Sequence, residues 1–241
     1  MALVYREHAP DAPLKPFVEC LWSATAGAAV REHVVPPDGC VDIIFTAGGR
    51  LDAVGTMTTR QHFTLPAGAE VTGIRFRPGR GRAFLRVPPG KLTDLQISLH
   101  ESWGAAAAQL QRQLEDAGSL LERLALLASA ARAVQTAVTP LQRAISAIGA
   151  ADLDAVADQA GLSPRQFRRR CLEESGLTPK HLARVLRFRL ALRKIDAGQC
   201  STGADLAAEC GYYDQAHFIH DFREFQGCTP GEYASALTDE P

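Results

Sequence analysis

Residues 156–179 read VADQAGLSPRQFRRRCLEESGLTP, and residues 206–230 read LAAECGYYDQAHFIHDFREFQGCTP. Laid over one another, the two stretches share one grammar. A short run ends on glycine, Gly161 or Gly211, where left-handed backbone costs least. A turn follows, then a residue that caps a helix start, Ser163 or Asp214. Phe167 and Phe218 stand four residues after each cap, and both stretches close on Gly-x-Thr-Pro. The opening segments are offset by 50 residues and everything from the caps onward by 51. The one slip therefore lies in the turn, where length varies most easily. Ser163-Pro164-Arg165-Gln166 is in addition a capping box with proline at the first helical position. The repeated unit is helix, tight turn, helix.

Such a repeat sets out two recognition helices. With the cap as zero, position 4 faces inward. Positions 2, 5 and 6 line one exposed stripe over the N-terminal half of the second helix, the part that meets base edges on a duplex. In the first unit these are Arg165, Arg168 and Arg169, with Gln166 adjacent. Arginine matches guanine O6 and N7 through two parallel hydrogen bonds. In the second unit they are Ala216, Ile219 and His220, with Gln215 before them and Arg223 after. Glutamine suits adenine, and histidine donates to a base acceptor or a phosphate. Ala216 and Ile219 offer only apolar contact, for example with a thymine methyl. The second unit is expected to contribute less affinity than the first.

Between the units the pattern predicts a long helix from Pro179 to Ile195. About 18 residues at a rise of 1.5 Å give roughly 27 Å, against about 34 Å between successive major-groove faces on one side of a duplex. A spacer of this length sets both recognition helices in adjacent groove segments. The net charge of −1 does not suggest nucleic acid, but its distribution does. From Ser163 to Lys194 ten basic residues face two acidic ones, Glu173 and Glu174. That local field is what phosphate binding needs. Arg184, Arg187 and Lys194 are candidates to track phosphates, each adding salt dependence. One such motif is common by chance. Two in register, with caps, inward phenylalanines and a basic stripe, point to double-stranded DNA as the partner.

Outward from the repeat, residues 139–237 read as helical throughout. Residues 1–93 differ. Apolar runs at Phe17–Trp22, Val41–Phe45 and Val71–Phe76 alternate with turn signals such as Pro36-Pro37-Asp38-Gly39, Gly48-Gly49 and Pro78-Gly79. Residues 94–137 read as a helical linker, near 102–116 and 119–136. There Leu120, Leu121, Leu124, Leu127 and Ala128 form an apolar stripe that packs either on its own domain or across a homodimer. The expected fold class is α+β: a small β-rich domain, barrel- or sandwich-like, then the linker, then an all-α domain with two helix-turn-helix units joined by a long helix. With 46% hydrophobic and 22% charged residues, the chain has the composition of an ordinary folded protein. No apolar run reaches the roughly 18 residues of a membrane span, and the N-terminus has no signal pattern. A cytoplasmic location without a membrane partner is expected.

Residues 157–192, ADQAGLSPRQFRRRCLEESGLTPKHLARVLRFRLAL, and 206–234, LAAECGYYDQAHFIHDFREFQGCTPGEYA, resemble the AraC/XylS family of bacterial transcription regulators. The likeness covers about residues 139–236. It implies a seven-helix, two-unit DNA-binding domain, promoter recognition, and RNA polymerase as a partner if the protein activates. Two departures stand out: Cys171 where the family commonly has Phe, and His220 where it often has Arg. PFVECLW, PPDGCVDIIF and GIRFRPGRGRAFL in the N-terminal zone resemble an uncharacterised domain found before such units, which implies a sensor position.

The family likeness implies that the N-terminal domain binds a small-molecule effector or dimerises. Arg75, Arg77, Arg80, Arg82 and Arg86 crowd together. An anionic ligand, a solvated strand edge and added phosphate contacts are all open readings. Asp38, Cys40 and Asp42 follow a tight Pro-Pro turn and, with Arg75 and Arg77, are the candidate ligand residues. No cofactor is implied. The six cysteines show no zinc spacing, and His33 with His62 makes at most a weak metal pair. An enzyme fused to a DNA-targeting unit, or a redox or alkylation sensor acting through Cys20 or Cys40, is the alternative. No activating base or metal pattern surrounds either thiol, and no catalytic motif is present, so no enzyme is expected.

Overall fold

The computed structural model describes residues 3–29, 31–134, 136–149, 152–199 and 203–238, with backbone alone at 31–33. His33's side chain and Cys200 lie outside the described residues. The β-branched and aromatic runs become strands. β1 (Val4–His8), β2 (Val18–Thr25), β4 (Val41–Thr46), β5 (Arg50–Val54), β7 (Glu70–Phe76) and β8 (Gln96–Ser98) form one antiparallel sheet in the order β1-β2-β7-β4-β5-β8. β3 (Arg31–Val35) pairs separately with β6 (Gln61–Leu65). The sheet is open, with β1 and β8 at its edges.

Side chains alternate across a strand, and here both faces of the central strands are covered. One face carries Leu21, Ile43, Phe45, Ile74 and Phe76; the other carries Cys20, Trp22, Ala24 and Val71. Trp22 lies across Gly73 of β7, where an added Cβ would sit 2.3 Å from the indole ring, so only glycine fits. After the short helices α1 (Arg82–Leu85) and α2 (His100–Trp103) come α3 (Ala105–Asp116) and α4 (Leu120–Arg132). Leu110, Leu114, Leu124, Leu127 and Ala128 pack onto the first sheet face, in one core with Ile74 and Phe76. Leu124, Leu127 and Ala128 of the α4 stripe thus pack on its own sheet, and Leu121, 67% exposed, points away.

The remaining helices form a second core. They are α5 (Pro140–Ala147), α6 (Leu153–Gln159), α7 (Pro164–Ser175), α8 (Pro179–Asp196), α9 (Gly203–Glu209), α10 (Gln215–Gln226) and α11 (Pro230–Thr238). Their starts carry the expected chemistry. Thr139 and Ser163 each make a full capping box, and Asp152, Thr178 and Asp214 accept hydrogen bonds from first-turn amides. Gly176 and Gly227 end α7 and α10 in the left-handed conformation, at φ +80° and +91°.

The two cores meet in a direct junction. Thr56 Oγ1 donates to Ser175 O at 2.6 Å, and Thr93 Oγ1 to Gly176 O at 2.8 Å, so the β domain occupies carbonyls at the end of α7. Gly90 lies so close to α7 that an added Cβ would be 2.5 Å from Leu172 O. Glu19 on β2 accepts from Arg189 at 2.6 Å and Arg193 at 2.5 Å on α8, while Arg77 on its own domain lies at 2.7 Å.

Candidate nucleic-acid interface

The two units superimpose in their hydrogen bonding as well as their sequence. Leu162 N donates to Ala157 O at 3.1 Å in the first, and Tyr212 N to Ala207 O at 2.9 Å in the second. After that shared bond, the first chain goes straight to its cap, Ser163. The second inserts Tyr213 before Asp214. The slip in the repeat is therefore Tyr213, whose side chain is 94% exposed. Phe167 and Phe218 are 2% and 1% exposed, and each locks its recognition helix to the preceding one.

On α7, Arg165, Gln166, Arg168 and Arg169 all face solvent, as does Arg170. Gln166 is partly committed to the cap: its Oε1 accepts from Ser163 N at 3.0 Å. Among the described residues, no carboxylate pairs with Arg165, Arg168 or Arg169, so these guanidiniums are free to meet a polyanion. On α10, Gln215, Ala216, His220 and Arg223 are exposed and Ile219 is half-buried. His220 Nε2 lies 3.7 Å from Glu224 Oε2 on its own helix. Asp221, one residue on, is buried. Its carboxylate and Glu224 are both held by Arg184 of α8, at 2.8 and 2.5 Å. His220, Asp221 and Glu224 come within metal-ligand distance of one another, but Arg184 already supplies a cation to both carboxylates.

Arg184, a candidate phosphate contact, is committed within the protein, where it ties the linker helix to the second unit. Burial works against its charge, but the hydrogen bonds it donates to Asp221 and Glu224, and their negative charges, outweigh burial and raise its pKa. Lys194 is likewise paired, with Glu209 at 2.7 Å, and Arg189 and Arg193 hold Glu19. Arg187 stacks over Tyr212, its guanidinium carbon 5.3 Å from the ring centroid. Along α8, Arg184, Arg189, Arg193 and Lys194 are thus paired with acids distant in sequence, while the exposed arginine stripe lies on α7.

Cys171 and Phe222 occupy equivalent positions, 51 residues apart. Phe222 is fully buried among Phe188, Phe218 and Tyr233. Cys171 is equally buried and sits beside Ser175, whose hydroxyl donates to Cys171 O at 2.7 Å. Burial pushes the Cys171 thiol up to about 11. It packs as a small hydrophobe.

The candidate ligand residues of the N-terminal domain pair with one another. Asp42 is buried, accepting from Trp22 Nε1 at 3.0 Å and Arg75 Nε at 3.1 Å. Arg75 also pairs with Asp38 at 3.3 Å, and Asp38 accepts from Cys40 N at 2.8 Å. Arg77 is held by Glu19. These charges satisfy one another beside α8, where Arg189 Nη1 reaches Cys40 Sγ at 3.6 Å. Burial pushes the Cys20 thiol up to about 12 and raises that of Cys40 as well, so neither is set up as a reactive thiolate. Between the sheet and α4 a cavity of about 10 Å³ remains, lined by Ile43, Ile74, Phe84 and Leu127 among others. Such a volume holds a water at most.

Two capped helix-turn-helix units on one rigid linker helix, with a free arginine stripe on the first, define a double-headed DNA-binding domain. Residues 156–236 match the family model of a helix-turn-helix domain, and residues 6–98 match that of a domain of unknown function (DUF6597). Over 70 residues the chain is 39% identical to the HTH-type transcriptional activator RhaS of Escherichia coli O9:H4 (strain HS), which takes in 29% of this chain and 25% of that protein. The match thus spans about a quarter of that relative's length. The solved DNA-binding domain of AdpA, in complex with a target DNA, aligns at 24% identity and TM-score 0.39, over 41% of this chain and 93% of that one. ToxT from Vibrio cholerae O395 aligns over 98% of both chains at 10% identity and TM-score 0.45. Residues 156–236 are a helix-turn-helix domain. No helix among the described residues is long and apolar enough to cross a membrane.

Proposed function

We propose that the protein is a sequence-specific transcription regulator. It lays α7 and α10 in adjacent major-groove segments of one duplex, with α7 supplying most of the affinity. The observation that carries this reading is the free arginine stripe of Arg165, Arg168 and Arg169 on the first of two equivalent, capped units. The second stripe offers Gln215, Ala216, Ile219 and His220, and Tyr213 in the longer turn is placed to reach the backbone beside it. If the protein activates, RNA polymerase is the further partner.

The N-terminal domain is proposed to control this reading in response to a small molecule. Its docking on the end of α7 and on α8 supports that role, because any change in the junction acts directly on the first recognition helix and on the spacer. The cavity beneath the sheet is too small for an effector, but a cleft of about 420 Å³ beside it, lined by Pro13, Leu14, Phe17, Phe84 and Arg132, is large enough for a small molecule.

The test begins with duplexes selected from random sequence by the full chain. Arg168→Ala and Arg169→Ala should each weaken binding to the selected site by about 1–3 kcal/mol and relax the base preference at one position. If both variants bind that site as tightly as the parent, the stripe does not read DNA.

A further inference from the structure

Turn chemistry builds a second feature of the junction. Arg77-Pro78-Gly79-Arg80 is a type II turn: proline stands second, Gly79 third at φ +70°, and Arg80 N donates to Arg77 O at 2.8 Å. The turn presses onto α5, where a Cβ at position 79 would lie 2.8 Å from Ile145 Cγ2. Arg80 therefore points from the N-terminal domain into the first helix of the DNA-binding domain. It is 7% exposed. Its Nη2 donates to Ser146 Oγ at 2.9 Å, and that hydroxyl donates onward to Gln142 O at 3.0 Å. Its Nε and Nη1 are enclosed and have no hydrogen-bond partner among the described residues.

Among the described residues, no carboxylate offsets this charge. Burial, then the neighbouring guanidiniums of Arg143 and Arg77, push the Arg80 pKa down. The contrast with its neighbours is sharp. Arg75 has Asp38 and Asp42, Arg77 has Glu19, Arg82 has Glu174, and Arg189 has Glu19. A buried guanidinium with bare N–H groups and only cations around it is costly. An oxyanion removes that cost: it accepts from Arg80 and is attracted by both flanking guanidiniums. Arg143 and Ser146 are exposed, so the cluster meets solvent along one edge.

We propose that Arg80, with Arg77, Arg143 and Ser146, forms an oxyanion site at the junction, taking the phosphate or carboxylate of a small-molecule effector. The site draws Arg77 and Arg80 from one domain and Arg143 and Ser146 from the other, so its ligand clamps the two together. This rests on the reading of the N-terminal domain as the receiver of a signal, and not on which bases are read.

The test uses the full chain without DNA, unfolded thermally at fixed ionic strength in chloride, inorganic phosphate or acetate. At ten times the dissociation constant, the bound oxyanion should raise the midpoint by roughly 3–5 °C. A response to phosphate alone assigns a phosphoryl ligand, and a response to acetate a carboxylate. Arg80→Met should abolish the shift while raising the midpoint in chloride, because it removes an unpaired charge and keeps the bulk. Arg143→Met, at an exposed position, should weaken the shift without disturbing the fold. The proposal is overturned if neither anion moves the parent midpoint, or if the shift persists in Arg80→Met. In a second arm, Arg80→Met should leave the salt dependence of duplex binding unchanged. A log–log slope smaller by about one would assign Arg80 to a DNA phosphate and overturn the small-molecule site. Loss of the anion effect with DNA affinity intact leaves the DNA-reading proposal standing.

Discussion

The two helix-turn-helix units share a backbone plan and differ in almost everything attached to it. The first is filled at its centre by a small thiol, Cys171, steadied by Ser175, and it presents unpaired arginines. The second is filled by an aromatic cluster around Phe222, and its charges are tied down by Arg184. One framework thus supports a strongly cationic head with a small residue at its centre and a weakly charged head with an aromatic one. Packing quality and contact chemistry vary independently, because they lie on opposite faces of the same helix.

The largest expected effect tests the packing side of this contrast. Phe222→Ala should cost about 3–5 kcal/mol of stability, whereas Cys171→Ala, at the equivalent site, should cost about 1 kcal/mol. Denaturant unfolding of the two variants measures both. Equal losses would mean that the two cores are filled alike.

The junction gives the next effect. Glu19→Gln leaves Arg189 without its carboxylate at a half-buried site and should cost about 3 kcal/mol of docking stability. Burial raises the Glu19 pKa, but Arg189, Arg77 and Arg193 outweigh it, and the net pKa is lowered from 4.5. The stabilisation is therefore present above the ordinary carboxylate pKa and lost as pH falls through the lowered, folded value. Hydrogen-exchange protection at the end of α7, taken relative to the intrinsic rate at each pH, should fall in acid in the parent. In Glu19→Gln it should already be low at neutral pH.

The smallest effect belongs to the second stripe. Gln215→Ala and His220→Ala should each weaken binding to the selected site by less than about 1 kcal/mol, below the single-arginine losses on α7. Fluorescence anisotropy at one salt concentration ranks the four variants. Losses on α10 that match those on α7 would erase the proposed inequality.

The parts of this structure that sequence made legible are local. Ser163 with Gln166, Asp214, Gly176 and Gly227 each act on neighbours within a few residues, and their spacing shows it directly. The apolar runs of Val41–Phe45 and Val71–Phe76, bounded by turn signals, likewise announced strands. What spacing could not show is which distant acid meets which base. Glu19 and Arg189 are 170 residues apart, and Arg184 and Asp221 are 37 apart. Counting charges along α8 therefore overstated its free positive field. The same limit hid the mutual satisfaction of Asp38, Asp42 and Arg75, which read as pocket residues and form a closed network. Tyr213 was visible only as a one-residue slip; its near-complete exposure in the second turn emerges only from the structure.

The account stands or falls on two unequal heads set one helical turn apart. Dimethyl sulfate interference on the selected duplex, bound by the full chain, tests this most directly. Two protected patches should appear on one face of the DNA, about 10 base pairs apart. Methylation of guanine N7 in the patch read by α7 should block binding, and Arg168→Ala should relieve that block. A single patch, two patches on opposite faces, or a guanine block that Arg168→Ala and Arg169→Ala leave untouched would contradict it.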